Sequence, residues 1–339
     1  MGTLSQRIRA LVALGHYFKY FDENKPEYLP FVRAIEKANI ENGWFRKKEC
    51  LHAIACWGIA LEKEKIQKWL AAYEIEENRT PKIIALVLAG NLPMVGFHDL
   101  IAIWVTGNIA LVKCSSKDKV LIPFIVNNNS LLKSMTSFTS EKLEDFDAVI
   151  ATGSNNAARY FNYYFSKYPS IIRKNRNGIA ILNGKETKLE LEGLGRDMLQ
   201  YFGLGCRSVS KLYLPQGYDL NKIFGGIYPF SNLINVNKYA NNYDYNKAIF
   251  LMSEFEFKEN GFFMLKKDSA ISSPIAYAFY EFYTEYRLLK NQLDKQKDYI
   301  QCVVTNESHK SAVTFGSTQK PNLWDYADGV DTIRFLVSL

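Results

Sequence analysis

The chain has 339 residues, 47% of them apolar and 23% charged, with a formal net charge of +7. That is a globular composition, long enough for one large or two ordinary domains, and it excludes a disordered chain. Lysines and arginines are scattered without a basic block, so the charge does not argue for nucleic acid and suits an anionic small substrate or a phosphate-rich cofactor equally well.

Residues 4–77 read mostly as helix: Leu4, Ile8, Leu11, Val12 and Leu14 recur at helical spacing, and the mode resumes over Ile54–Ala72 after a break at Glu41-Asn42-Gly43. At Pro81 the pattern changes. Lys82–Ala89 is a continuous apolar run that predicts a strand buried on both faces, followed by the turn Gly90-Asn91-Leu92-Pro93 and a helix from Phe97 to Thr106. Ile109–Cys114 predicts a second strand leading into Ser115-Ser116, and a further helix falls near Leu121–Leu132. A third strand, Ala148–Ala151, enters Thr152-Gly153-Ser154 and another helix; a fourth strand, Ile179–Leu182, ends at Asn183-Gly184. Strands alternating with helices imply an α/β fold with a parallel, Rossmann-type sheet and right-handed crossovers.

Ligands bind beyond the carboxyl ends of such strands. The turns gathered there are Gly90–Pro93, Lys113–Ser116 and Thr152–Ser154. A Thr-Gly-Ser opening a helix can hold a phosphate through backbone N–H groups. Each turn alone reads as an ordinary connection; three in succession point to a nucleotide site.

Five cysteines at irregular spacing (Cys50, Cys56, Cys114, Cys206, Cys302) and four dispersed histidines match neither a disulfide framework nor a metal site, so no metal is expected. The most apolar region, residues 83–112, is broken by Gly90, Asn91, Pro93, His98, Asp99, Gly107 and Asn108, so no stable membrane insertion is expected. The N-terminus lacks a leader pattern, and a cytoplasmic location is the simplest expectation.

One cysteine stands apart. In Phe202-Gly203-Leu204-Gly205-Cys206-Arg207-Ser208, Cys206 precedes the β-rich run Val209–Leu214. The residues alone leave two readings open, a covalent nucleophile or a small residue beside a tight turn. The glycines are close to a dinucleotide fingerprint, but that pattern needs a strand before it and a helix after it, and here the order is reversed.

These motifs, in this order, resemble the aldehyde dehydrogenase superfamily: Asn91 and Pro93 match its first cofactor turn, Lys113-Cys114-Ser115-Ser116 its second, Thr152-Gly153-Ser154 its third, Asn183-Gly184-Lys185 its Gly-Gly-Lys segment and Gly203-Leu204-Gly205-Cys206 its nucleophile loop. Ser273-Pro274-Ile275 is similar to the segment at which the superfamily chain returns to its cofactor domain. Within the superfamily, Arg173-Lys174-Asn175-Arg176-Asn177, Gly205–Ser210 and the tail Leu323–Asp331 resemble bacterial long-chain acyl-CoA reductases, the type that supplies fatty aldehyde for luminescence.

The resemblance implies an N-terminal helical region (1–78), an NAD(P)-binding domain (79–182 and 272–312), a second α/β catalytic domain (183–271) and a C-terminal tail (313–339). It implies Cys206 as nucleophile, with Asn91 and the Cys206 backbone N–H holding an oxyanion. Lys113, Ser115, Ser116, Thr152, Gly153 and Ser154 would bind the cofactor. Ile181 falls where hydrolytic members keep a glutamate base, and Ala270 and Ser116 fall at ribose-contacting glutamates. The expected activity is therefore reduction of an acyl-CoA or acyl-carrier thioester to the aldehyde. NADPH is expected over NADH, because Ser116 and the nearby Lys113, Lys117 and Lys119 suit a 2′-phosphate. Alternatives are an aldehyde or semialdehyde dehydrogenase and a weakly active acyl-binding subunit of a multi-enzyme complex. A homo-oligomer and an acyl-transferring partner enzyme are the expected associations, and the apolar Thr332–Val337 is read as a strand able to pair with another chain.

Overall fold

Thr3 opens the first helix in a computed structural model that describes residues 2–77 and 79–339. Its hydroxyl accepts the Gln6 N–H, and the Gln6 side chain returns to the Thr3 N–H, so two donors that a helix start leaves unmet are satisfied reciprocally. Helices α1 (Leu4–Lys19), α2 (Leu29–Glu41), α3 (Lys47–Ala60) and α4 (Lys63–Leu70) follow. Met1 and the expected boundary at residue 78 lie outside the described residues.

The first unit, Met1–Lys174 with Asn322–Leu339, is built on a five-stranded sheet. Its elements are β1 (Ile83–Val87), α5 (Phe97–Val105), β2 (Ile109–Lys113), α6 (Leu121–Asn127), α7 (Ser130–Ser134), β3 (Thr136–Phe138), β4 (Ala148–Thr152), α8 (Asn155–Tyr164) and β5 (Ser170–Arg173). All pairings are parallel and the order is β3-β2-β1-β4-β5. β1 is central, as its unbroken apolar run requires. Helix α5 is apolar on nearly every side, and Leu100 to Val105 are all buried. It packs against the sheet and against α1, which removes the need for a polar face. The helix read over Leu121–Leu132 is divided: Asn129 accepts the Leu131 and Leu132 N–H groups and starts α7 anew.

The second unit, Asn175–Pro321, carries β6 (Asn177–Ile181), α9 (Lys188–Leu199), β7 (Val209–Pro215), α10 (Leu220–Ile227), α11 (Asn237–Met252), β8 (Phe257–Glu259), β9 (Met264–Lys267), β10 (Tyr277–Tyr283), α12 (Tyr286–Lys295), β11 (Ile300–Val304) and β12 (Ala312–Val313). Their sheet order is β12-β11-β6-β7-β10-β9-β8, antiparallel only between β8 and β9.

Three expectations are corrected here. Strand β6, read as the fourth strand of the first sheet, pairs instead with β7 and β11; a short apolar run looks the same whichever sheet receives it. Residues 272–312, expected in the NAD(P)-binding domain with a catalytic domain confined to 183–271, place β10 and β11 in the second sheet. Ser273-Pro274-Ile275 lies in the β9–β10 connection, held by Ser210 Oγ to Ile271 O at 2.7 Å. Finally, Thr332–Val337 is a helix, α13, of the first unit. Asp331 accepts the Arg334 N–H at 2.9 Å and caps it, and Ile333 and Leu336 are buried three residues apart.

Candidate active site

The candidate residues divide between the units. Asn91 and the cofactor turns lie in the first, Cys206 in the second.

In the first unit, the three turns leave the carboxyl ends of the adjacent strands β2, β1 and β4. Two of them touch. A Cβ at Gly90 would meet Ser115 Oγ at 2.7 Å, so only glycine lets the first turn close on the second. Buried Asn42, the residue that ends α2, ties them together. Its amide donates to Gly90 O and to Lys117 O, both at 3.2 Å, and its own oxygen accepts the Trp44 N–H at 3.1 Å. Nothing in the spacing of the N-terminal helices marked Asn42 for this role, because its partners are 48 and 75 residues away.

Ser115 Oγ accepts the Lys117 N–H at 3.2 Å, Ser116, Lys117 and Lys119 are exposed, and Lys113 donates to Glu141 O at 2.8 Å. Asp118, the one carboxylate on this turn, is directed inward. It accepts the Leu121 N–H at 3.2 Å and the Val120 N–H at 3.4 Å, and burial pushes its carboxyl up to about 6. The exposed rim is thus left to hydroxyls and ammoniums. In the third turn, Ser154 caps α8 by accepting the Ala157 N–H at 3.2 Å, and Thr152 and Gly153 are half-buried.

In the second unit, α9 ends in an unusual backbone. Tyr201, Phe202 and Gly203 take φ of 54°, 60° and 74° in succession. Two non-glycine residues in that region cost about 1–2 kcal/mol each, but both side chains are buried, at 7% and 2% exposure. Burying an aromatic side chain contributes roughly 2–3 kcal/mol, so the bend is sustained by its own anchors. The chain then closes a tight turn over Gly205–Ser208 and enters β7. Cys206 is exposed at its centre, and Arg207 turns aside to donate Nε to Thr318 O at 2.5 Å. None of the five cysteines is in a disulfide. Burial pushes the thiols of Cys50 and Cys302 up to about 12 and Cys114 up to about 11, which disfavours the thiolate at each of these three.

Ile181, at the site of the expected absent base, is 1% exposed and packs with Ile179, Tyr213, Leu289 and Leu293. The neighbouring carboxylates are engaged structurally. Glu186 accepts the Asn183 and Gly184 N–H groups at 2.5 and 3.1 Å and the Tyr218 hydroxyl at 3.1 Å. Glu190 caps α9 through Thr187, and Glu192 faces Lys188 at 4.0 Å. Phe262, Phe263 and Met264 are core residues at 3% exposure or less.

No protein-family model matches the chain. Among solved structures it is similar to aldehyde dehydrogenase 21 of Physcomitrella patens in complex with succinate, with a TM-score of 0.64 at 11% identity, covering 100% of this chain and 84% of that one. A mutant of the P. syringae indole-3-acetaldehyde dehydrogenase in complex with NAD+ superimposes with a TM-score of 0.62 at 10% identity, covering 90% and 73%. The chain has the aldehyde dehydrogenase fold. The resemblance read from the turns is therefore borne out at the level of fold, with two α/β units and an N-terminal helical region.

Two curated relatives are more specific in name. The long-chain acyl-protein thioester reductase of Aliivibrio fischeri is 22% identical over 303 residues, covering 78% of this chain and 62% of that protein. The long-chain acyl-protein thioester reductase 2 of Photobacterium leiognathi is 22% identical over 243 residues, covering 62% and 50%. The chain thus spans between half and two thirds of the curated relatives it matches.

The segments expected from the sequence to resemble the reductase type have local structural roles in this fold. Arg173 is buried in an ion pair with Asp99 and donates to Thr332 Oγ1 at 3.0 Å. The tail residue Tyr326 accepts the Trp69 indole N–H at 2.7 Å and lies 2.7 Å from the Tyr73 hydroxyl, which donates to Asp331 at 2.8 Å. Among the described residues no group of three or more His, Cys, Asp or Glu side chains is placed to hold a metal, and no helix is long and apolar enough to cross a membrane.

Proposed function

We propose that this chain is an oxidoreductase that reduces a long-chain acyl thioester, carried on coenzyme A or on an acyl-carrying protein, to the aldehyde through an acyl-enzyme at Cys206. The observation that carries this reading is Cys206 itself, an exposed thiol at the centre of a closed turn, in a fold whose expected base position is filled by buried Ile181. The names of the curated relatives support the acyl thioester; the NAD+ in the structural relative supports a nicotinamide cofactor.

In the proposed cycle the Cys206 thiolate attacks the thioester carbonyl, a new C–S bond forms, and the donor thiolate leaves and takes up a proton. The Cys206 backbone N–H and, as the resemblance implies, the Asn91 amide are the proposed oxyanion donors; one such donor typically contributes about 3 kcal/mol. The hydride that reduces the Cys206 thioester would come from a reduced nicotinamide held by the residues of the first unit. The Cys206 thiohemiacetal then collapses to the aldehyde and returns the thiolate. No water is consumed, so a general base beside the thioester is unnecessary.

The residues of the first unit fit the cofactor. The exposed start of α8, at Thr152, Gly153 and Ser154, suits a phosphate, and the close approach of Gly90 to Ser115 keeps the first two turns together. Ser116 with Lys117 and Lys119, and Asp118 directed away, favour a 2′-phosphate and hence NADPH; Lys113 and Ser115 shape the same turn.

Incubation with acyl-CoAs of varied chain length and NADPH, with aldehyde measured for the wild type and Cys206→Ala, tests the reading. Aldehyde is expected from the wild type alone. Equal rates in the two proteins, or aldehyde oxidation without any acyl-CoA reduction, would overturn it.

A further inference from the structure

The turn that presents Cys206 does not stand alone. A second loop, Thr314–Gln319, is fastened to it at two points: Thr318 O accepts Arg207 Nε at 2.5 Å, and Gln319 Nε2 donates to Ser208 Oγ at 3.2 Å. The same loop is fastened behind to α9. Asp197, only 1% exposed, accepts the Gly316 N–H at 2.6 Å and the Thr318 N–H at 2.9 Å. Gly193, one helical turn earlier, lets the loop approach, since a Cβ there would meet the Phe315 carbonyl carbon at 2.8 Å. The Thr318 peptide is therefore gripped at both ends, its N–H by Asp197 and its C=O by Arg207.

A carboxylate buried in a helix is costly unless its oxygens are met. Burial holds the Asp197 carboxyl above its ordinary value, and the Gly316 and Thr318 N–H groups offset part of that rise. Both partners are backbone donors of one loop, so what the buried carboxylate holds is that loop's position. An apolar residue would fill the same space without fixing it.

From this geometry we infer that Asp197 is a positioning residue for the nucleophile: through the Thr314–Gln319 loop it sets the turn on which Cys206 is presented. The inference rests on the reading of Cys206 as the reacting thiol. It has a reporter independent of activity. Cys302, 2% exposed on β11, directs its thiol to Arg207 O at 3.7 Å and so lies beneath the same turn. When the turn is displaced, Cys302 is uncovered.

The test uses the whole chain with Asp197→Asn, which retains shape but presents an NH2 to one of the two N–H donors. Iodoacetamide labelling of each cysteine is followed by peptide mass spectrometry. Steady-state aldehyde formation is measured with hexadecanoyl-CoA and NADPH. The expected result is Cys302 labelled at least tenfold faster than in the wild type, with kcat at least tenfold lower and KM for NADPH unchanged. If either the Cys302 labelling or kcat stays at the wild-type value, Asp197 is not a positioning residue. Should Asp197→Asn fail to fold, Gln319→Ala, which alters no charge, is expected to move both quantities about threefold in the same directions, and no movement overturns the inference. Failure of the acyl-reductase reading shows separately, as a wild type that makes no Cys206-dependent aldehyde, while Cys302 labelling still tests whether Asp197 holds the turn.

Discussion

Ser208 Oγ accepts the Gly205 N–H at 3.1 Å while the Ser208 N–H donates back to the Gly205 carbonyl at 3.0 Å. The two residues flanking Cys206-Arg207 thus close the turn twice, once by side chain and once by backbone.

Ser208→Ala removes the acceptor of a buried N–H together with the partner of Gln319. A buried donor left unmet costs about 1–3 kcal/mol, so the urea midpoint should fall correspondingly and Cys206-dependent aldehyde formation should fall with it. A midpoint equal to that of the wild type would mean that the side chain does not hold the turn.

Asn42→Ala releases the carbonyls of Gly90 and Lys117 and unties the two turns proposed to hold the cofactor. KM for NADPH is expected to rise severalfold, with a loss of about 1–2 kcal/mol in stability. The first step, acylation of Cys206 by acyl-CoA in the absence of NADPH, should keep its rate; intact-mass measurement of the acyl-enzyme would show otherwise.

Asp118 predicts a pH dependence of stability. Its folded carboxyl is pushed up to about 6 from the ordinary aspartate value of 3.8, so between those values the folded state holds a proton that the unfolded state has released. Its contribution is present at low pH and is lost as pH rises through about 6, a difference on the order of 3 kcal/mol. Asp118→Asn should therefore gain on the wild type in chemical denaturation as pH is raised from 4 to 7. A constant difference between the two proteins would contradict this assignment.

Ile181→Glu tests the base position. Ile181 packs in an apolar cluster on β6, and an unpaired carboxylate there is expected to cost roughly 3–5 kcal/mol. The variant should melt earlier and show no aldehyde-oxidising activity with NADP+. A stable variant that oxidises aldehyde would show that the position can serve a base after all.

The sequence by itself determined what depends on neighbours along the chain. Helical spacing marked the N-terminal helices, unbroken apolar runs marked β1, β2, β4, β6 and β7, and the polar turns after three of those strands pointed to the class of fold. Strands β3 and β5 were missed, being three and four residues long and lying at the sheet's edges, and β8 to β12 of the second sheet were not read from the sequence either. Only tertiary structure decided which sheet received β6, β10 and β11, because strand pairing is chosen by partners far away and an apolar run carries no address. It likewise decided that Thr332–Val337 is a helix, which the Asp331 cap and the burial of Ile333 and Leu336 favour over an edge strand. At the candidate site the thiol was legible and its support was not. Asn42 and Asp197 look like ordinary helix residues until carbonyls 48 and 75 residues away, and N–H groups 119 and 121 residues away, are brought against them. Buried polar groups must be paired, and the fold alone supplies the partner.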